Sequence, residues 1–209
     1  MKRKLCAVLC LAVAAGITTG CGASFEADES TVYITKQGNV IGADIEDFNE
    51  EYYDEEELQQ YITDSIQSYV EANGDGSLEL DRFETESSEK DGVTAHLYLN
   101  YATYIDYALF NDVTMFAGTV EQARQEGFTF DQSFQKAEDG ALTGTADVQE
   151  ALDDENTKVV VIGEETAVRV DGEILYVSDG NADLTGKNTV QAHYDIENED
   201  AQPVYILYK

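Results

Sequence analysis

The sequence predicts an α+β fold: a mostly antiparallel sheet packed by one long amphipathic helix, about 55–72, and by short helices, with a β-rich C-terminal portion. Three observations carry this. Leu58, Tyr61, Ile62, Ile66, Tyr69 and Val70 recur at three- and four-residue spacing, which makes one stripe of a helix apolar. Runs of alternating or continuous apolar residues recur along the chain, separated by Gly-containing turns, as antiparallel strands require. From Thr157 onward almost every such run reads as strand.

Taken in order, residues 32–36 and 40–45 flank Gln37-Gly38-Asn39, a turn of hairpin length. Residues 47–54 are acidic, with Phe48, Tyr52 and Tyr53 interspersed. Asp54 and Glu57 have the spacing of a capping box, and Glu55, Glu56 and Glu57 suit the positive end of the helix dipole. Asn73-Gly74 ends the helix. Strands are expected over 78–84 and 93–101, then a short helix over 103–110 and a strand over 113–116. Thr119 and Gln122 open another short helix that Gly127 closes, and 147–150 start one more. Phe128, Phe130 and Phe134 fall in a stretch that reads as irregular. Val159-Val160-Val161-Ile162 suits a central strand. Residues 167–170 and 173–177 flank Asp171-Gly172, a strong hairpin signal. Residues 189–196 alternate, and 204–208 end the chain as a strand.

The first residues set the location. Lys2-Arg3-Lys4 precede the apolar run 5–17, and Thr18-Thr19-Gly20-Cys21 closes it. A basic start, a short apolar core and a small-residue exit describe a secretory signal; the run is too short to span about 30 Å of hydrocarbon. The exit resembles the lipobox of bacterial lipoproteins, with Thr18 where Leu is usual. The resemblance implies cleavage after Gly20 and a diacylglyceryl group on Cys21; ordinary secretion with cleavage after Ala23 is the alternative. Residues 1–20 are then a signal peptide, 21–31 a lipidated Cys and tether, and 32–209 one α+β domain or two lobes, about 32–118 and 119–209. Cys6 and Cys10 leave with the signal, so no disulfide is expected.

Without residues 1–20 the chain keeps 9 basic against 43 acidic residues, a net −34. Such a surface repels nucleic acid, which requires cations to neutralise phosphates. It also repels anionic headgroups, so attachment would depend on lipid.

Candidate sites are few. Residues 71–79 place Asn73, Asp75 and Glu79 with the spacing of a calcium loop, but the closing position is Arg82 instead of Glu; a helix end turning into a strand explains the same residues. Ser133-Phe134-Gln135-Lys136 matches Ser-x-x-Lys without its companion motifs. His96 and His193, the two imidazoles, fall on polar phases of strands. Tyr98, Tyr101, Tyr104, Tyr107 and Phe110 read as core rather than as a sugar platform. No catalytic, metal or cofactor site is assigned. The chain as a whole, including the stretch from Phe110-Asn111-Asp112-Val113 to Gly118-Thr119-Val120, resembles small acidic lipoproteins of clostridial-type Gram-positive bacteria. The function expected is a lipid-anchored extracytoplasmic protein, on the outer face of the cell membrane, with a non-catalytic binding or structural role at the envelope. Its partners would be the membrane, through Cys21, and an envelope protein or glycan, not nucleic acid. A small carboxylate-dependent hydrolase acting on wall or glycan substrates is the alternative.

Overall fold

A computed structural model describes residues 25–50, 53–88 and 92–209. The signal segment and Cys21 lie outside the described residues, as does Tyr52. The architecture is mostly β and corrects the α+β expectation: thirteen strands form two sheets, accompanied by four helices, among the described residues. The predicted helix is present as α1 (Glu55–Asn73), capped by Asp54 on the Glu57 N–H at 3.0 Å. It is not the layer that covers the sheet. Ile62 is its one buried residue and Tyr61 is 70% exposed. The covering layer is a second sheet, part of which lies in sequence read as irregular.

The first sheet has the order β11 (Ala182–Gly186), β12 (Thr189–Ala192), β9 (Thr166–Val170), β1 (Thr31–Ile34), β2 (Val40–Asp47), β4 (Gly92–Tyr101), β3 (Leu78–Ser88). The second has the order β5 (Thr114–Thr119), β8 (Lys158–Gly163), β13 (Val204–Tyr208), β10 (Ile174–Ser178), β6 (Phe134–Glu138), β7 (Ala141–Ala146). All strand pairs are antiparallel except β1 with β9, where Val32 faces Val168. Residues on either side of 118 therefore contribute to both sheets.

One core joins the sheets: Val32, Ile34, Val40 and Tyr101 from the first meet Val160, Ile162, Val204 and Ile206 from the second. The opposite face of the second sheet has its own core, in which Phe116, Phe134, Val161 and Leu207 pack under α3 (Val120–Gln125) and α4 (Gln149–Asp153). Burial on both faces explains why β8 and β13 are continuous apolar runs instead of alternating ones. Each such Val, Leu or Ile contributes about 1.5–3 kcal/mol on burial. Tyr98, Tyr101 and Tyr107 are buried, in agreement with the core reading of the aromatic cluster.

The Asp171-Gly172 hairpin is not formed. β9 belongs to one sheet and β10 to the other, so Asp171-Gly172 is a crossover between layers. A Cβ on Gly172 would lie 2.2 Å from the Lys209 carbonyl oxygen. The glycine is required by that close approach, beside the paired Glu173 and Lys209 backbones. The two-residue hairpin lies instead at Asp139-Gly140, where both residues have positive φ (53° and 81°) and Glu138 pairs with Ala141. That is the type I′ geometry that Asp-Gly favours.

Among the described residues no helix is long and apolar enough to cross a membrane. Residues 25–30, read from the sequence as tether, lie against the outer face of the first sheet. Phe25 stacks on Tyr33 at 5.0 Å, and Glu26 accepts two hydrogen bonds from Arg82, at 2.9 and 2.6 Å. Arg82 itself lies over the Tyr98 ring at 3.8 Å.

Candidate functional site

Strand alternation places Val40, Gly42, Asp44 and Glu46 on one face of β2. A Cβ on Gly42 would meet Tyr101 and Tyr107, so this face points inward. On β4 the residues opposite them are Tyr101, Leu99, Leu97 and Ala95. Toward Val40 the face is sealed by the second sheet. Toward Asp44 and Glu46 it is only partly overlaid by the first turns of α1. The result is an open groove of about 470 Å³.

Its floor is Phe83, Ala95 and Leu97 from the sheet with Leu58 and Ile62 from the helix; Phe48, Tyr53 and Tyr61 add aromatic surface. Phe48 and Tyr53 stack on each other at 4.9 Å with rings 17° from parallel. Asp44, Glu46, Asp47, Asp54 and Glu57 bring the polar groups, and no Lys, Arg or His lines the groove among the described residues. Two of these acids serve the fold: Asp54 caps α1 and Asp47 accepts from the Asn49 N–H at 3.0 Å.

Asp44 is the electrostatic anomaly. Its carboxylate reaches solvent through the groove yet is hemmed in by protein on most sides. Burial pushes its carboxyl up to about 6, with the charges of Glu164 and Glu46 adding to the effect. Glu164 is also raised by burial, against the Tyr107 hydroxyl that donates to it at 2.7 Å. Two further carboxylates thus act on Asp44, with no cation beside it among the described residues. A strand acid on the inward phase was the sequence signal for this place, and the acidic, aromatic 47–54 stretch was the other. Neither reveals on its own that the helix leaves the face open.

The other candidates disperse. The calcium-like turn is a helix end running into β3, with Asn73 Nδ2 donating to the Tyr69 carbonyl and Arg82 engaged by Glu26. Among the described residues no cluster of three or more metal-binding side chains is found. Lys136 pairs with Glu138, and the Ser133 carbonyl accepts from the Asp179 N–H. His96 lies half-buried, 4.0 Å from Glu86. His193 is held between Asp183 at 2.9 Å and Glu165 at 3.0 Å. Hydrogen bonds to both carboxylates raise its pKa, and with both ring nitrogens engaged it is a structural clasp. Another hollow, of about 500 Å³ between α3 and α4, is lined by Glu121, Arg124, Asp153 and Asp154 and offers no comparable apolar floor. Cys21, the lipid acceptor expected from the sequence, lies outside the described residues. No family model, curated protein or solved structure matches the chain.

Proposed function

We propose that the protein is a lipid-anchored extracytoplasmic binding protein, held to the membrane through Cys21, that captures a ligand in the groove between α1 and the first sheet. The observation that supports binding is an apolar, aromatic-lined recess left open in a fold that otherwise closes its cores. Such recesses with a few convergent polar groups are the usual form of small-ligand sites. Anchoring rests on the residues around Cys21. Only three residues separate Cys21 from Phe25, and four Cα–Cα steps reach at most about 14 Å, so lipid on Cys21 would hold the domain close to the bilayer. The test is membrane fractionation of the wild type and of Cys21→Ala, with mass spectrometry of the mature N-terminus. Lipidated Cys21 and release of the variant are expected; an unmodified chain beginning at Ser24 overturns the anchor.

A carboxylate-dependent hydrolase is the second reading, favoured by Asp44, whose raised carboxyl beside Glu46 suits a general acid. It requires that Asp44→Asn abolish glycan or wall cleavage by the purified protein; no cleavage by the wild type ends it.

A further inference from the structure

We propose that the groove binds a small organic cation carrying an apolar body, of the arylalkylammonium type. The inference deepens the binding reading above and rests on it.

The carboxylates of Asp44, Glu46 and Glu57 are without a hydrogen-bond or ion-pair partner among the described residues, and all three line the groove. Elsewhere the fold does supply counter-charges. Arg82 meets Glu26, Lys209 meets Asp154 and His193 meets two acids. At the groove, among the described residues, no such counter-charge is present. Anionic ligands are repelled there. Metal ions are poorly served, because a hard cation seeks six or more oxygens converging on it and no three metal-binding side chains converge among the described residues. An organic ammonium fits both halves. Its charge meets the carboxylates and the ring faces of Phe48, Tyr53 and Tyr61, where cation–π attraction adds to ion pairing. Its apolar body covers Leu58, Phe83 and Leu97. The volume of about 470 Å³ is that of a small-molecule site.

The experiment uses the intact protein in phosphatidylcholine nanodiscs, with empty nanodiscs subtracting partition into lipid. The probes are 2-phenylethylammonium, its neutral isostere 2-phenylethanol and the anion phenylacetate, followed by saturation-transfer NMR and calorimetry. The cation should bind about tenfold more tightly than the alcohol, since three exposed carboxylates pair with the cation alone. Phenylacetate should not bind. The variant Asp44→Asn/Glu46→Gln/Glu57→Gln should bring cation and alcohol to within about twofold, with an unchanged circular dichroism spectrum. If that variant fails to fold, wild-type binding read at salt giving a Debye length of about 3 Å supplies the same comparison: the cation should lose its advantage. Equal affinity for cation and alcohol, or no binding of either, overturns the ligand class. So does binding only of a basic peptide. Membrane fractionation of Cys21→Ala reads the anchor separately, so the two failures are distinguishable.

Discussion

Asp44→Asn should stabilise the protein at neutral pH, and the gain should fade on acidification. In the folded state the Asp44 carboxyl stands at about 6 against an ordinary 3.8. The folded state therefore holds a proton that the unfolded chain has released between those values, and stability falls as pH rises from about 4 to about 6. Above 6 the cost of the partly desolvated charge is fully present. A shift of that size corresponds to about 3 kcal/mol at 1.36 kcal/mol per tenfold; because the carboxylate reaches solvent, screening reduces it to about 1–2 kcal/mol. Asn keeps the shape and carries no charge, so it should raise Tm by roughly 2–8 °C at pH 7.5, using about 2–4 °C per kcal/mol for a chain of this size. At pH 4 the two proteins should melt together. The assay is thermal melting followed by circular dichroism across pH 4 to 8 for both chains. A variant that is less stable at pH 7.5, or a difference that does not change with pH, would refute the reasoning: Asp44 would then have a stabilising partner. Phenylethylammonium should itself raise the wild-type Tm at pH 7.5, and raise that of Asp44→Asn by less.

Three further outcomes follow from the packing. Gly172→Ala should cost about 2 kcal/mol, read from the denaturant midpoint, because its Cβ would force apart the two backbone hydrogen bonds between Glu173 and Lys209, each contributing about 1 kcal/mol. Phe25→Ala should cost about 1–2 kcal/mol by removing the ring that stacks on Tyr33 and meets Tyr98 edge-on, and should speed proteolysis within residues 25–30. His193→Gln should lower Tm in acid solution and converge with the wild type as pH rises. Its raised pKa means that the stabilisation is complete below the unfolded value of about 6.5 and is lost as pH passes the folded one.

The sequence is most informative where local chemistry decides. The Thr119–Gln122 capping box forms, with Gln122 Oε1 accepting from the Thr119 N–H at 2.9 Å. The turn at Gly38 joins β1 to β2, and Val159 to Ile162 lie in the interior of the second sheet. It misleads where partner choice decides. Asp139-Gly140 and Asp171-Gly172 are the same dipeptide. The first makes a hairpin and the second a crossover, because Val168 and Val170 find β1 and β12 while Val177 finds β13. No local signal separates them. Residues 134–146, where the sequence reading expects no strand, form β6 and β7 and enlarge the second sheet, which performs the covering role expected of the helix. The groove residues were legible one by one as core-like apolar positions. What could not be read was the absence of a lid over them, since Tyr61 shares the helical stripe of Ile62 and yet is 70% exposed.

Among the charged residues on strands of the first sheet, the different treatment of Arg82 and Asp44 bears on the groove. Arg82 on β3 lies over the Tyr98 ring and donates to both Glu26 oxygens, so its charge is matched by the segment folded across the outer face. Asp44 on β2 stands opposite Leu97, on the face where Val40 and Gly42 complete the core, and no cation meets it among the described residues. A leucine or valine there would extend the core and close the floor. Folded chains violate such local rules chiefly where function requires it, and the stability forgone, about 1–2 kcal/mol after screening, is recoverable only by a group that enters from solution. A mobile cation with an apolar body recovers it at the carboxylates and on the rings in one step. The inward acid and the incomplete helical cover thus have one explanation in common.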